Sequence, residues 1–225
     1  MLYQTLLKLA SFIYPIKYKT LQSDYSGVVE LTYYNGKLVL DTANTNYSYG
    51  NLQRILDRSI NKIYDKNFTK IENILILGVA GGSVIQTLCR KYKYTNTIDA
   101  VDIDPVILTI ANDFFGINQY KNCNLIIDDA QNYVTQCPKK YGLIIIDLFI
   151  DDQIPEFVYH KSFINDVKLL LEINGCIIFN TTSLANKKNK INELVLANFN
   201  KNYEVQILDK IDVFNILYII KKLSK

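Results

Sequence analysis

ILILGVAGGSVIQTLCRKYKYTNTIDAVDID, residues 74–104, decides the fold. Ile74–Leu77 is a short apolar, largely β-branched run that stops at Gly78, and Gly81 and Gly82 follow within four positions. An amphipathic helical pattern begins near Val84, and a second apolar strand ends in Val101-Asp102-Ile103-Asp104. Strand, glycine turn, helix, strand and terminal acid form the first half of a nucleotide-binding α/β unit. Glycines let backbone N–H groups approach a ligand, and the helix N-terminus favours negative or polar ligand groups. Asp102, about 20 residues past the last glycine, is placed to accept hydrogen bonds from both hydroxyls of a ribose.

Working outward, Val28–Tyr34 and Lys37–Asp41 are β-rich runs joined by Asn35-Gly36, a strong hairpin signal. Leu2–Ile16 is apolar, broken by Lys8 and Pro15, and too short to span a bilayer. It reads as a short amphipathic helix that covers a partner surface. Thr45-Asn46 and Ser48 are cap-type residues before a helix carrying Leu52, Ile55, Leu56, Ile60 and Ile63.

Beyond Asp104, Val106–Phe114 reads as a helix, Asn124–Ile127 as a strand, and Gln131–Gln136 as a helix. YGLIII (residues 141–146) is a fully apolar strand of the kind covered on both faces. A helix through Val167–Leu171 closes at Asn174-Gly175, and Cys176–Asn180 is a fifth strand. Glu204–Leu208 and Phe214–Ile220 resemble an antiparallel pair. The expected organisation is a helix and hairpin module over 1–50 and a nucleotide-binding domain over 51–225.

With 225 residues the chain can bury a full core. A net charge of +3 is too small to argue for nucleic acid or membrane binding, and Lys187, Lys188 and Lys190 read as a solvated loop. One histidine, His160, and four scattered cysteines without a CxxC pair cannot build a typical zinc site, so no metal is expected. Free thiols suit a reducing, cytoplasmic setting. Three strands end in carboxylates: Asp102, Asp129 and Asp147. Ligands of open α/β sheets bind outside these strand ends. Three acids there require donors such as a ribose, an adenine amino group or a cationic substrate.

From Ser23 to about Asn180 the chain resembles the spermidine synthase (polyamine aminopropyltransferase) family, a branch of the class I S-adenosylmethionine-dependent methyltransferase fold. The matching segments are SDYSGVVELTYYNGKLVLDT, Tyr47-Ser48-Tyr49, Leu77-Gly78-Val79-Ala80-Gly81-Gly82, Asp102-Ile103-Asp104, Asp129-Ala130 and Asp147. The resemblance implies a Rossmann-like fold: a mostly parallel twisted sheet with helices on both faces, an antiparallel C-terminal strand, and a small N-terminal β-hairpin module. It implies that Gly78, Ala80, Gly81, Gly82, Asp102, Ile103, Asp129, Ala130 and Asp147 bind S-adenosylmethionine or its decarboxylated form. It also implies that Asp147, Asp151 and Tyr49 serve catalysis, and that residues 1–45 form a homodimer contact.

The chain departs from the family at Gly81, where aminopropyltransferases carry an Asp that holds the amino group of the decarboxylated cofactor. That Asp would repel the carboxylate of ordinary S-adenosylmethionine. Ser26 and Gly50 replace family glutamines, and Asp147-Leu148-Phe149-Ile150-Asp151-Asp152 replaces an Asp-Ser-Ser-Asp-Pro loop. The first functional expectation is therefore methyl transfer to a small amine or hydroxyl acceptor. Aminopropyl transfer to putrescine, a polyamine precursor, is the alternative, and a non-catalytic cofactor-binding module is the third.

Overall fold

The computed structural model describes residues 2–42, 46–48, 51–63, 68–150, 153–182, 193–199, 201–208 and 215–224. Helix α1 (Leu2–Ala10) leads into an antiparallel four-stranded sheet, β1 (Ile16–Ser23), β2 (Gly27–Tyr34), β3 (Lys37–Asp41) and β4 (Asn46–Ser48), ordered β1-β2-β3-β4. The Asn35-Gly36 turn joins β2 and β3 with both residues at positive φ (48° and 73°), the geometry that matches the twist of a tight hairpin. Ser11, just past α1, ties the helix to this turn: its Oγ accepts from Gly36 N at 2.9 Å and its carbonyl from Asn35 N at 3.0 Å.

The apolar N-terminal segment forms the short helix expected of it, which ends at Ala10, and past Pro15 the chain continues in β1. One N-terminal expectation is corrected. Asn46 and Ser48 are strand residues paired with Asp41 and Leu40 rather than helix caps.

Helix α2 (Asn51–Ile63) buries Ile55, Leu56 and Ile60. The strands β5 (Asn73–Leu77), β6 (Thr97–Asp102), β7 (Cys123–Ile127), β8 (Tyr141–Ile146), β9 (Leu171–Thr182), β10 (Tyr203–Leu208) and β11 (Asn215–Lys222) form a seven-stranded sheet ordered β10-β11-β9-β8-β5-β6-β7. Pairing from β9 through β7 is parallel, while β11 runs antiparallel to β9 and β10 to β11. The connecting helices are α3 (Ser83–Gln86, continuing as a π-helical turn over Thr87–Lys91), α4 (Pro105–Phe115), α5 (Ala130–Gln136) and α6 (Lys161–Leu170).

One core lies on each face of this sheet. β8 contributes to both, which is why its six residues are apolar or glycine without alternation. A third cluster joins Val29, Leu31 and Leu40 of the small sheet to Ile107, Ile110 and Phe115 of α4. The alternating pattern of β2 thus seats the small sheet against α4. The α6 expectation is also corrected: the helix ends at Leu170, and Leu171 is already extended. Asn174, at φ 63°, and Gly175 lie inside β9, near a register shift against β8. Among the described residues no helix is long and apolar enough to cross a membrane.

Candidate functional site

The loop after β5 is built around Gly78. Its φ is 91°, and a Cβ placed there would lie 2.2 Å from the backbone oxygen of Asp147. Gly78 N donates to Val101 O, and Asp147 N to Leu77 O, each at 2.9 Å, so the loop is laced to the ends of β6 and β8. Glycine is required here on two counts, conformation and space. Gly82, at φ 77°, precedes α3 and packs on the Ile117 side chain.

Asp102 ends β6 with its carboxylate turned into this loop. Its Oδ2 accepts from Val79 N (2.8 Å) and Ala80 N (3.3 Å), and its Oδ1 from Asp104 N (3.0 Å). Burial pushes the carboxyl up from its ordinary value, while these three amides pull it down and the nearby Asp104 charge raises it again. A carboxylate offers about four acceptor sites. Roughly one remains, on Oδ1, for a ligand hydroxyl, where the sequence suggested room for two.

Asp104, 1% exposed, is a junction. Its Oδ1 caps α4 by accepting from Val106 N (2.9 Å) and Ile107 N (3.3 Å). Its Oδ2 accepts from the hydroxyls of Ser23 at the end of β1 (2.5 Å) and Ser26 in the β1–β2 turn (2.7 Å). One buried side chain therefore starts the helix and anchors the small sheet beside the site.

Asp129 caps α5, its Oδ1 accepting from Gln131 N at 2.6 Å. Asp147, past β8, has a different environment. Burial pushes its carboxyl up to about 6; the amide of Asn180, donating from Nδ2 to Oδ1 at 2.8 Å, opposes this, and the Asp102 charge adds to it.

These groups meet in one cavity of about 400 Å³. Its wall includes Gly78, Ala80, Asp102, Ile103, Asp129, Ala130 and Asp147 but neither Gly81 nor Gly82. Asp151 and Tyr49, along with Gly50 and the three late lysines, lie outside the described residues. His160 is exposed at the start of α6 and takes no part in the wall. Sequence reading did not single out Asn180 and Asn215, from β9 and β11, nor Tyr25 from the β1–β2 turn. The apolar roof of Leu148, Phe149, Ile150 and Phe157 was legible only as a non-polar loop. An Asn at the end of a buried apolar strand was the available signal for Asn180.

This set of acceptors suits a polar, cationic nucleoside ligand. The five acids of the wall (Asp102, Asp104, Asp128, Asp129 and Asp147) can only accept while ionised, and the flanking Val101, Ile103 and Ile107 can pack a flat ring.

The polyamine aminopropyltransferase of Vibrio vulnificus (strain CMCP6) is 35% identical over 117 residues, covering 51% of this chain and 39% of that protein. The chain thus matches about two fifths of this curated relative's length. Among solved structures, human methyltransferase-like protein 13 in complex with SAH superposes with a TM-score of 0.62 at 22% identity, covering 78% of this chain and 83% of that one. A spermidine synthase in complex with the transition state analogue AdoDATO gives 0.66 at 12% identity, covering 92% and 72%. These structural likenesses establish the Rossmann-like fold. The spermine/spermidine synthase domain profile matches residues 57–212, most of the chain, and the protein therefore belongs to the spermine/spermidine synthase domain family.

Proposed function

We propose that the chain is a transferase that moves an aminopropyl group from decarboxylated S-adenosylmethionine to an amine acceptor of the polyamine class. The observation that carries this reading is Asp147: a partly buried carboxyl facing the cavity beyond a parallel strand, raised to about 6, among other acids that suit an adenosyl group. Amine attack needs a neutral nitrogen, and a carboxylate with a pKa near the working pH is suited to take the proton. When bound, the donor supplies a carbon activated by a positively charged sulfur.

The protein's own residues divide the remaining work. Asp102 offers Oδ1 to a ribose hydroxyl, and the Asp128-Asp129-Ala130 turn borders the base. Asp147 orients the acceptor nitrogen and holds its proton. The Leu148–Ile150 loop and Phe157 keep water from the reacting atoms. Asp151 and Tyr49 remain part of the reading as further acceptor contacts. The exposed apolar residues of α1 and the turn after it (Leu6, Leu9, Phe12 and Ile13) support assembly as a homodimer.

Methyl transfer from S-adenosylmethionine is the second reading. One observation favours it: Gly81 stands where the resembled family has its cofactor-selecting Asp. Incubating the protein with each donor and a panel of amines, followed by mass spectrometry, separates the two. Aminopropylated putrescine or a related amine is the expected product. Methylated amine formed only from S-adenosylmethionine would reverse the order, and no product from either donor would remove both.

A further inference from the structure

Ile146 of β8 pairs with Phe179 of β9, which brings the next residue of each strand, Asp147 and Asn180, side by side. Asn180 is 1% exposed, and its Nδ2 donates to Asp147 Oδ1 at 2.8 Å. Its own Oδ1 has no hydrogen-bond partner among the described residues. An ionised carboxyl can only accept, so the amide is held with its nitrogen towards Asp147. Among the described residues, Asp147 is thus the one side-chain partner of this buried amide.

We infer that Asn180 is the positioning residue for proton transfer at Asp147: it pins one carboxylate oxygen, leaves the other to the acceptor's N–H, and favours the ionised form. The role in turnover rests on the amine-transfer reading above, whereas the coupling between Asn180 and Asp147 does not. The charged group that faces Asp147 from the neighbouring strands is Asp102 on β6. The loop after β5 presents Gly78, β9 presents Asn180, and β11 presents Asn215, none of them ionisable. Burial and the Asp102 charge both favour the neutral acid, and the Asn180 donor is the influence opposing them. A neutral Asp147 could not take a proton from the acceptor.

The test is a ¹³C NMR pH titration of the Asp147 carboxyl in the full chain, wild type beside Asn180→Leu and Asn180→Ala. It requires neither donor nor acceptor, so it is read even if the transfer reading fails. Loss of the donor is expected to raise the midpoint by about one pH unit in whichever variant folds, the usual size for one lost hydrogen bond to a carboxylate. An unchanged midpoint in a folded variant would overturn the inference, since a merely structural amide would alter the melting temperature alone. In turnover, the acid limb of the kcat profile is expected to move up by the same amount, with donor KM little changed and partial rescue by Asn180→Gln. A limb that stays in place while the NMR midpoint moves would overturn the catalytic half.

Discussion

Asp102 and Asp147 lie past neighbouring regions of one sheet and line one cavity, yet the chain treats them in opposite ways. Asp102 is held by three backbone amides at 2.8–3.3 Å and organises the glycine loop. Among the described residues Asp147 has a single side-chain amide as donor, and its carboxyl is displaced to about 6. Well-satisfied carboxylates hold structure, and under-satisfied buried ones hold reactivity. Asp99, on the same strand as Asp102, completes the contrast. Burial pushes it up, but hydrogen bonds from Asn124, Lys139 and Tyr141 and the Lys139 charge outweigh this, and its carboxyl ends below the ordinary value. Strand position alone does not set a carboxylate's role; the donors around it do.

The most severe way to disturb the contrast is to move the loop between the two carboxylates. Gly78→Ala forces a Cβ towards the Asp147 backbone oxygen at a positive φ. A loss of about 3 kcal/mol or more is expected in denaturant unfolding, with donor binding abolished. Asp104→Ala removes a helix cap and both serine bonds to the small sheet. A loss of about 2–4 kcal/mol is expected. Ser26→Ala, which removes one of those bonds, should cost about 1 kcal/mol.

Asp147→Asn acts in the other direction. The folded pKa is above the unfolded one, so the native state binds more protons between about pH 4 and pH 6, and Asp147 destabilises the fold as pH rises through that window. The variant is expected to be more stable than wild type by about 2 kcal/mol at pH 8 and to lose that advantage near pH 4. Equal stability at pH 8 would erase the distinction between the two acids. The smallest effect belongs to Lys139→Met. Lys139 is half exposed, so losing its pair with Asp99 should cost about 1 kcal/mol or less at pH 7. Because Asp99 is depressed, that cost should shrink as pH falls through its folded pKa.

Much of this was legible in the sequence. Local periodicity and the glycine spacing located β5, β6, α4 and β8, and Asn35-Gly36 located the hairpin, because each carries its own apolar pattern or turn residues. β1 was not legible: its strand state comes from pairing with β2, in a stretch whose apolar residues run on from α1. Nor was the end of α6, where Asn174-Gly175 read as a helix stop but kinks a strand. In the site, the carboxylates were visible as strand-end acids, whereas their division of labour was not. That division depends on partners far away in the chain: 33 residues from Asp147 to Asn180, and 78 from Asp104 to Ser26.

The most direct test of the division is calorimetric titration of decarboxylated S-adenosylmethionine into Asp102→Asn and Asp147→Asn beside wild type. Asp102→Asn disturbs the loop and a donor contact, so affinity should fall by about tenfold or more. Asp147→Asn should bind the donor within about threefold of wild type while losing transfer to the amine. Intact donor binding by Asp102→Asn, with binding lost in Asp147→Asn, would contradict the account.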